Sequence, residues 1–507
     1  MRIALHRVES DCLKTIYDKV IPKEETLELV VPDVSADIGR ILDVRGQFLL
    51  SSQRARENEV HISASVEMTV IYASEDGGKI QFVSTAVPFD HTAAVEGADE
   101  NSETVVRCEL CYLDARTLNP RKLLLRAGVN MHLRCFAPDK CVFWDNVAEE
   151  TQMPVHILRK EIVHCPVVGV RDKSFIISDE YRLSPGREES VKMLSAATET
   201  CVQDAKSVGN KLIVKAEAVT NAVFLNESDG SLFSEMFSTP FSQIIEVDTY
   251  GDSIDSTVSV LLKDSEFTVI PDRENGCRIS AQLNMTAQAL SMERKAAVYL
   301  ADAYSNEFAL SAENTLTKIS ECMPPKMLRL SPEGRLQQKE TLSEIMYVAV
   351  SALCTLTDGG SIGCEVSVSG VGKTESGEIE PIELKLRAEE AIPLAKNQML
   401  TVCAVCCGPL TVNGMPESAE IKADVDIEYR ISENVEFGAV SGMELDESSP
   451  LRCDNCPSLV VLCSEKEADL WNLAKKYGST MEIIENANSM NGDFSVSRRP
   501  LLIPRAN

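Results

Sequence analysis

Glu59-Val-His-Ile-Ser-Ala-Ser-Val-Glu-Met-Thr-Val-Ile-Tyr72 decides the fold. Val60, Ile62, Ala64, Val66, Met68, Val70 and Tyr72 alternate with His61, Ser63, Ser65, Glu67 and Thr69. A period of two places the apolar set on one face, so the stretch predicts a long strand with one buried side. Asp76-Gly77 supplies a hairpin turn, and Pro88-Phe89 closes the returning strand.

The same grammar recurs 152 positions later, where Leu212, Val214, Ala216, Ala218, Ala222 and Phe224 stand for Val60, Ile62, Ala64, Val66, Val70 and Tyr72. Asp229-Gly230 repeats the turn and Pro240-Phe241 repeats the proline-aromatic pair. On the same offset a third copy starts at Cys364, Val366 and Val368 and ends at Pro393-Leu394. The chain is therefore expected to be mainly β, with three tandem sandwich- or barrel-like repeats at 25–145, 165–305 and 327–445. Charge and proline gather at the junctions, as in Glu321-Cys-Met-Pro-Pro-Lys326. Residues 1–24 are expected to form an N-terminal helical segment, because Cys12, Leu13, Ile16, Tyr17 and Val20 fall at helical spacing within residues 9–20.

The last stretch, 457–507, has a different pattern. Leu459 to Cys463 reads as a short strand. Leu470, Trp471, Leu473, Ala474 and Tyr477 recur at helical spacing until Gly478 stops the run. Thr480 opens a second helix, and Leu501 to Ile503 reads as a second strand between two prolines. The order is βααβ.

Leu470-Trp471-x-Leu473-Ala474-x-x-Tyr477-Gly478, Glu482-x-Ile484-x-x-Ala487-Asn488 and Pro500-Leu-Leu-Ile-Pro504 together resemble a LysM domain. That resemblance makes Leu470, Trp471, Leu473 and Ile484 its structural core. It also implies a ligand groove between the two flanking loops, where Lys466, Asp469, Asn491, Phe494 and Arg498 are the expected partner-binding residues. Glu467-Ala468-Asp469 stands where LysM domains usually carry Gly-Asp-Thr, which removes the turn glycine and argues against glycan binding. In the repeats, the strand ending at Tyr72, the Pro88-Phe89 pair and Leu118-Asn119-Pro120-Arg121-Lys122 are similar to the SPOCS domain of spore-coat proteins. SPOCS repeats followed by a LysM tail imply a coat-morphogenesis scaffold in the mother-cell cytoplasm, at the forespore surface. They imply docking of the tail on the ATPase of the coat's basement layer. A peptidoglycan-binding cell-wall protein is the alternative.

Composition narrows the classes. A net charge of −28 opposes nucleic acid and anionic lipid. No apolar run approaches a membrane span, and the N-terminus lacks the pattern of a secretory signal. The 17 cysteines include several inside apolar strands, Cys108, Cys354 and Cys403 among them, and are read as buried thiols of a reducing compartment. Cys108/Cys111 and Cys403/Cys406 lie in β-patterned stretches, where i and i+3 face apart, so no metal site is expected. Cys453/Cys456 sits in a loop and is read as a linker. Gly372-Lys373-Thr374 lacks the rest of a phosphate loop, and no nucleophile-base set appears. No catalytic residue, cofactor or metal is expected.

Overall fold

The structure is a computed structural model that describes residues 1–76, 79–148, 154–183, 190–247, 254–272, 276–337, 340–357, 360–451, 457–463, 469–489 and 500–506. Three antiparallel meanders organise it. The first comprises Ile38–Arg56, Glu59–Ser74 and Ile80–Ala94. The second comprises Val191–Val208, Lys211–Asn226 and Leu232–Glu246. The third comprises Leu342–Leu356, Ser361–Thr374 and Ile379–Ala391. In each, the alternating stretch is the central strand, paired on both sides.

Every meander packs on a second sheet, which makes each repeat a sandwich. In repeat 1 the second sheet is Glu103–Asn119, Lys122–Val147 and Leu5–Val30. In repeat 2 it is Ile254–Asp272, Gly276–Glu293 and Val167–Arg182. In repeat 3 it is Gln398–Asn413 and Glu420–Pro450, edged by Lys326–Leu330 and Glu333–Arg335. The buried faces meet in the middle: Ile62, Val66 and Val70 share a core with Leu125, Val129 and Met131. Leu212, Val214 and Ala218 share one with Leu283, Met285 and Ala287, and Val366 and Val368 share one with Val425 and Ile427. Each such large aliphatic side chain contributes about 1.5–3 kcal/mol by leaving water.

The repeats are not beads on a string. Leu42, Ile71 and Ile80 of the first meander join Leu194, Val223 and Leu232 of the second and Tyr347 and Val371 of the third in one apolar cluster. Repeat 1 contacts repeat 2, repeat 2 contacts repeat 3, and repeat 3 contacts repeat 1. Arg40 bridges to Glu380 at 2.7 Å across the last of these junctions. A buried polar pair at the centre is satisfied, with the Tyr347 hydroxyl donating to Asp43 at 2.8 Å. Three hairpins extend beyond the sandwiches. Leu5–Thr15 pairs with Phe136–Val147, His156–His164 with Lys295–Tyr304, and Phe308–Cys322 with the end of Glu420–Pro450. They pack together as a stem in which Phe143, Tyr299 and Ala439 meet, one from each hairpin.

Three expectations change. Residues 9–20 are strand, not helix, so the segment 1–24 belongs to Leu5–Val30. A register shift between Thr15 and Tyr17 slips the strand's phase by one residue. Apolar residues on either side of the slip then fall three or four apart and imitate a helix.

The third repeat is also re-phased. Counting back from the cluster residues Ile71, Val223 and Val371, Cys364 takes the place of Ala64 and Ala216, not of Val60 and Leu212. The pairing agrees: Ala64 lies opposite Phe89, Ala216 opposite Phe241 and Cys364 opposite Ala388. Pro393 lies beyond the end of its strand and does not replace Pro88. Finally, Cys201 and Cys406, expected as thiols, form a disulfide between repeats 2 and 3.

A cavity of about 1750 Å³ lies between the repeats, lined by Arg45 and Cys108 from repeat 1, Glu199 and Val260 from repeat 2, and Val350 and Cys407 from repeat 3. Glu199 has accessible surface onto this cavity yet is ringed by protein atoms. Burial pushes its carboxyl up to about 7, against the opposing pull of Arg45. A carboxyl whose folded pKa is raised leaves stability intact below its unfolded pKa and erodes it as pH rises through the folded value. Glu199→Gln is therefore expected to raise the melting temperature at pH 8 and to leave it unchanged at pH 4. Equal shifts at both pH values in thermal melts would contradict this.

Candidate functional site: the docked tail domain

The tail folds as its pattern predicts, with strands Leu459–Leu462 and Leu501–Pro504 paired antiparallel. Helix α1 spans Leu470–Tyr477 and helix α2 spans Met481–Ala487. The Asp469 carboxylate accepts from the amides of Trp471 and Asn472 at 3.0 and 3.3 Å, which starts α1. Gly478 ends the helix at φ +63°, a conformation that glycine adopts without penalty. The Thr480 hydroxyl accepts from Ile483 N at 3.1 Å and starts α2. The Asn488 side chain then ties α2 to the last strand. It donates to the carbonyls of Ile484 and Leu502 and accepts from Leu502 N at 2.8 Å.

Leu470, Trp471 and Ile484 are buried and Leu473 half-buried, in a core completed by Ala474, Leu501 and Ile503. One member of that core comes from outside the tail. Tyr304, at the end of the repeat-2 stem hairpin, meets the Trp471 ring edge-on, with centroids 4.8 Å apart. The Trp471 indole N–H donates to Asp302 at 2.8 Å, and Lys475 reaches both oxygens of the same carboxylate at 2.8 Å. The Tyr304 hydroxyl and the Asn306 amide both donate to the Ser479 carbonyl, at 2.9 and 3.1 Å. Burial raises the pKa of Asp302, but its hydrogen bonds to Lys475 and Trp471 outweigh that and hold the carboxyl below its ordinary range. Trp471 thus joins the tail to the body as well as holding the tail's own fold. No local signal could have shown this, because Asp302 lies 169 residues away in the chain.

Of the expected partner-binding residues, Lys466, Asn491, Phe494 and Arg498 lie outside the described residues, as do Cys453 and Cys456. Asp469 is described, and its oxygens are engaged by the helix it caps, with Oδ2 accepting from the Asn472 side chain at 2.6 Å. Losing a carboxylate N-cap costs about 1 kcal/mol. Asp469→Ala is expected to lower the tail's stability by that amount, read as faster amide exchange across α1. Unchanged exchange would show that the cap contributes nothing.

In repeat 1 the motif residues are structural. The Tyr72 hydroxyl donates to Ala36 O at 3.0 Å, and Phe89 is fully buried. Arg121 donates to the carbonyls of Val31, Pro32 and Ser35 and to the carboxylates of Asp33 and Asp37. It clamps the link between the two sheets of the sandwich, a role the motif alone did not reveal. A comparison with known families matches residues 37–118 to the family described as SipL, SPOCS domain. The chain carries a SPOCS domain. The match covers the first meander and the strand that follows it; Arg121 closes the same SPOCS sandwich just beyond. No curated protein and no solved structure matches the chain. Among the described residues, no group of histidine, cysteine or carboxylate side chains is placed to hold a metal ion, and no helix is long and apolar enough to cross a membrane.

Proposed function

We propose that this chain is a non-enzymatic scaffold of spore-coat assembly. Its β repeats form a body, and its LysM-like tail docks on the ATPase of the coat's basement layer, in the mother-cell cytoplasm at the forespore surface. The observation that carries the reading is the SPOCS match at 37–118. The βααβ tail fixed to the body through Asp302 and Tyr304 supports it, because a recognition module held in one orientation suits an assembly protein.

The test is capture of the purified coat ATPase by the full chain and by a chain ending at residue 450. Retention by the full chain alone supports the proposal. Retention of peptidoglycan fragments with no ATPase would favour the cell-wall reading instead. A fluorescent fusion that fails to gather at the forespore surface of sporulating cells would remove the proposed location.

A further inference from the structure

Among the described residues, three pairs of free cysteines lie side by side. Cys12 and Cys141 have their sulfurs 3.3 Å apart. Cys354 and Cys364 are direct cross-strand partners. Cys165 and Cys322 lie where the stem hairpins of repeats 2 and 3 pass into their sandwiches. Cys165 follows the strand His156–His164 and donates its amide to Ser320 O at 2.9 Å, while Cys322 ends the strand Phe308–Cys322. Cys165 Sγ is 3.8 Å from the Cys322 carbonyl, which sets the two side chains next to each other. Both residues are half-buried, so solvent reaches them.

We propose that Cys165 and Cys322 form a thiol–disulfide exchange site whose co-reactant is a low-molecular-weight organic disulfide. Cys165 is the attacking sulfur and Cys322 the resolving one. The other pairs are unsuited. Burial and the Cys141 hydrogen bond push the Cys12 thiol up to about 12, and Cys364, though favoured as a thiolate, is buried.

At Cys165 the hydrogen bond from Cys322 holds the thiol well below its ordinary range, with Arg294 adding to it and burial and Glu321 opposing. The same bond and burial keep the proton on Cys322, where Arg430 and Asp255 act in opposite senses. His164, next in the chain, is buried, and its pKa is lowered by burial and by Lys295 against Glu293. A thiolate beside a protonated partner thiol is the arrangement that exchange chemistry requires.

The Cys165 thiolate attacks one sulfur of R–S–S–R. A Cys165–S–R bond forms as the S–S bond breaks, and RS⁻ leaves with the electron pair. Cys322 then gives its proton to solvent and attacks Cys165 Sγ, and the second RS⁻ leaves. Two protein thiols are oxidised and one organic disulfide is reduced to two thiols once the leaving groups are protonated. The product joins repeats 2 and 3 across 157 residues, in addition to the Cys201–Cys406 bond.

The experiment treats the full chain with oxidised glutathione at pH 7, quenches with acid, and maps peptides without reduction. Peptides joined through Cys165 and Cys322 are expected. Cys322→Ser and Cys322→Ala should each stop at one glutathione on Cys165, and Cys165→Ser should yield neither product at this site. Iodoacetamide at pH 6.5 should alkylate Cys165 at least about tenfold faster than Cys12, since one pKa unit is a factor of ten in thiolate. That excess should shrink in both Cys322 variants. The proposal fails if glutathione settles on Cys322 with Cys165 untouched, if no link forms, or if Cys165 alkylates no faster than Cys12.

Discussion

Ile71→Asp is expected to unfold all three repeats together. Ile71 is fully buried where the three meanders meet, against Val223 and Val371. The carboxylate would find Asp43, already bonded to Tyr347, in the same region. A buried charge without a partner costs several kcal/mol, a large part of a domain's whole stability of about 5–15 kcal/mol. Hydrogen exchange followed by mass spectrometry is the measurement. Protection should fall in 211–226 and 361–374 as well as in 59–74. Ile71→Val, which removes one methyl, should cost only about 0.5–1.5 kcal/mol and keep the pattern. Loss confined to 59–74 would mean that the repeats fold independently and that the shared cluster adds nothing.

The second large effect is at Trp471. Truncating a buried tryptophan costs about 3–5 kcal/mol, and a domain of about fifty residues rarely holds more than that. Trp471→Ala also removes the Tyr304 ring contact and the indole bond to Asp302. Exchange protection should vanish from 470–487 while 59–74 stays protected. Tyr304→Phe is the gentler probe, since it keeps the ring and removes only the hydroxyl that donates to Ser479 O. It should loosen docking and leave the tail's own helices formed. A Trp471→Ala protein with full protection in both helices would show that the tail draws no support from this residue.

The central strands were legible because a strand with one face in a sandwich core alternates, as Val60 to Met68 does; near its end both faces are covered, and Ile71 on the second face is buried between the repeats. The tail was legible because its signals are local: Gly478 and Thr480 cap their helices in the structure. The N-terminal strand was not, because a single bulge at Thr15 to Tyr17 changes the period that a reader relies on. The third repeat was mis-phased because a constant offset was carried through a strand whose Val371 lies 148 residues, not 152, after Val223. Contacts between distant segments left no trace in local pattern. The cluster at Ile71, the grip of Asp302 on Trp471 and the Cys165–Cys322 pair all join positions more than 145 residues apart. Among the partner-binding candidates only Asp469 could be placed, and it serves its own helix.

Three like units would ordinarily offer three like attachment points. Among the described residues a single one, the repeat-2 hairpin with Asp302, Tyr304 and Asn306, grips the tail, and it grips it from both the indole and the Ser479 side. The triplicated body is thus asymmetric with respect to the tail, although its three sandwiches are alike. Any ligand that meets the free side of the tail therefore meets it at one fixed angle to all three repeats, so the orientation of the tail is set by the body and not by a linker.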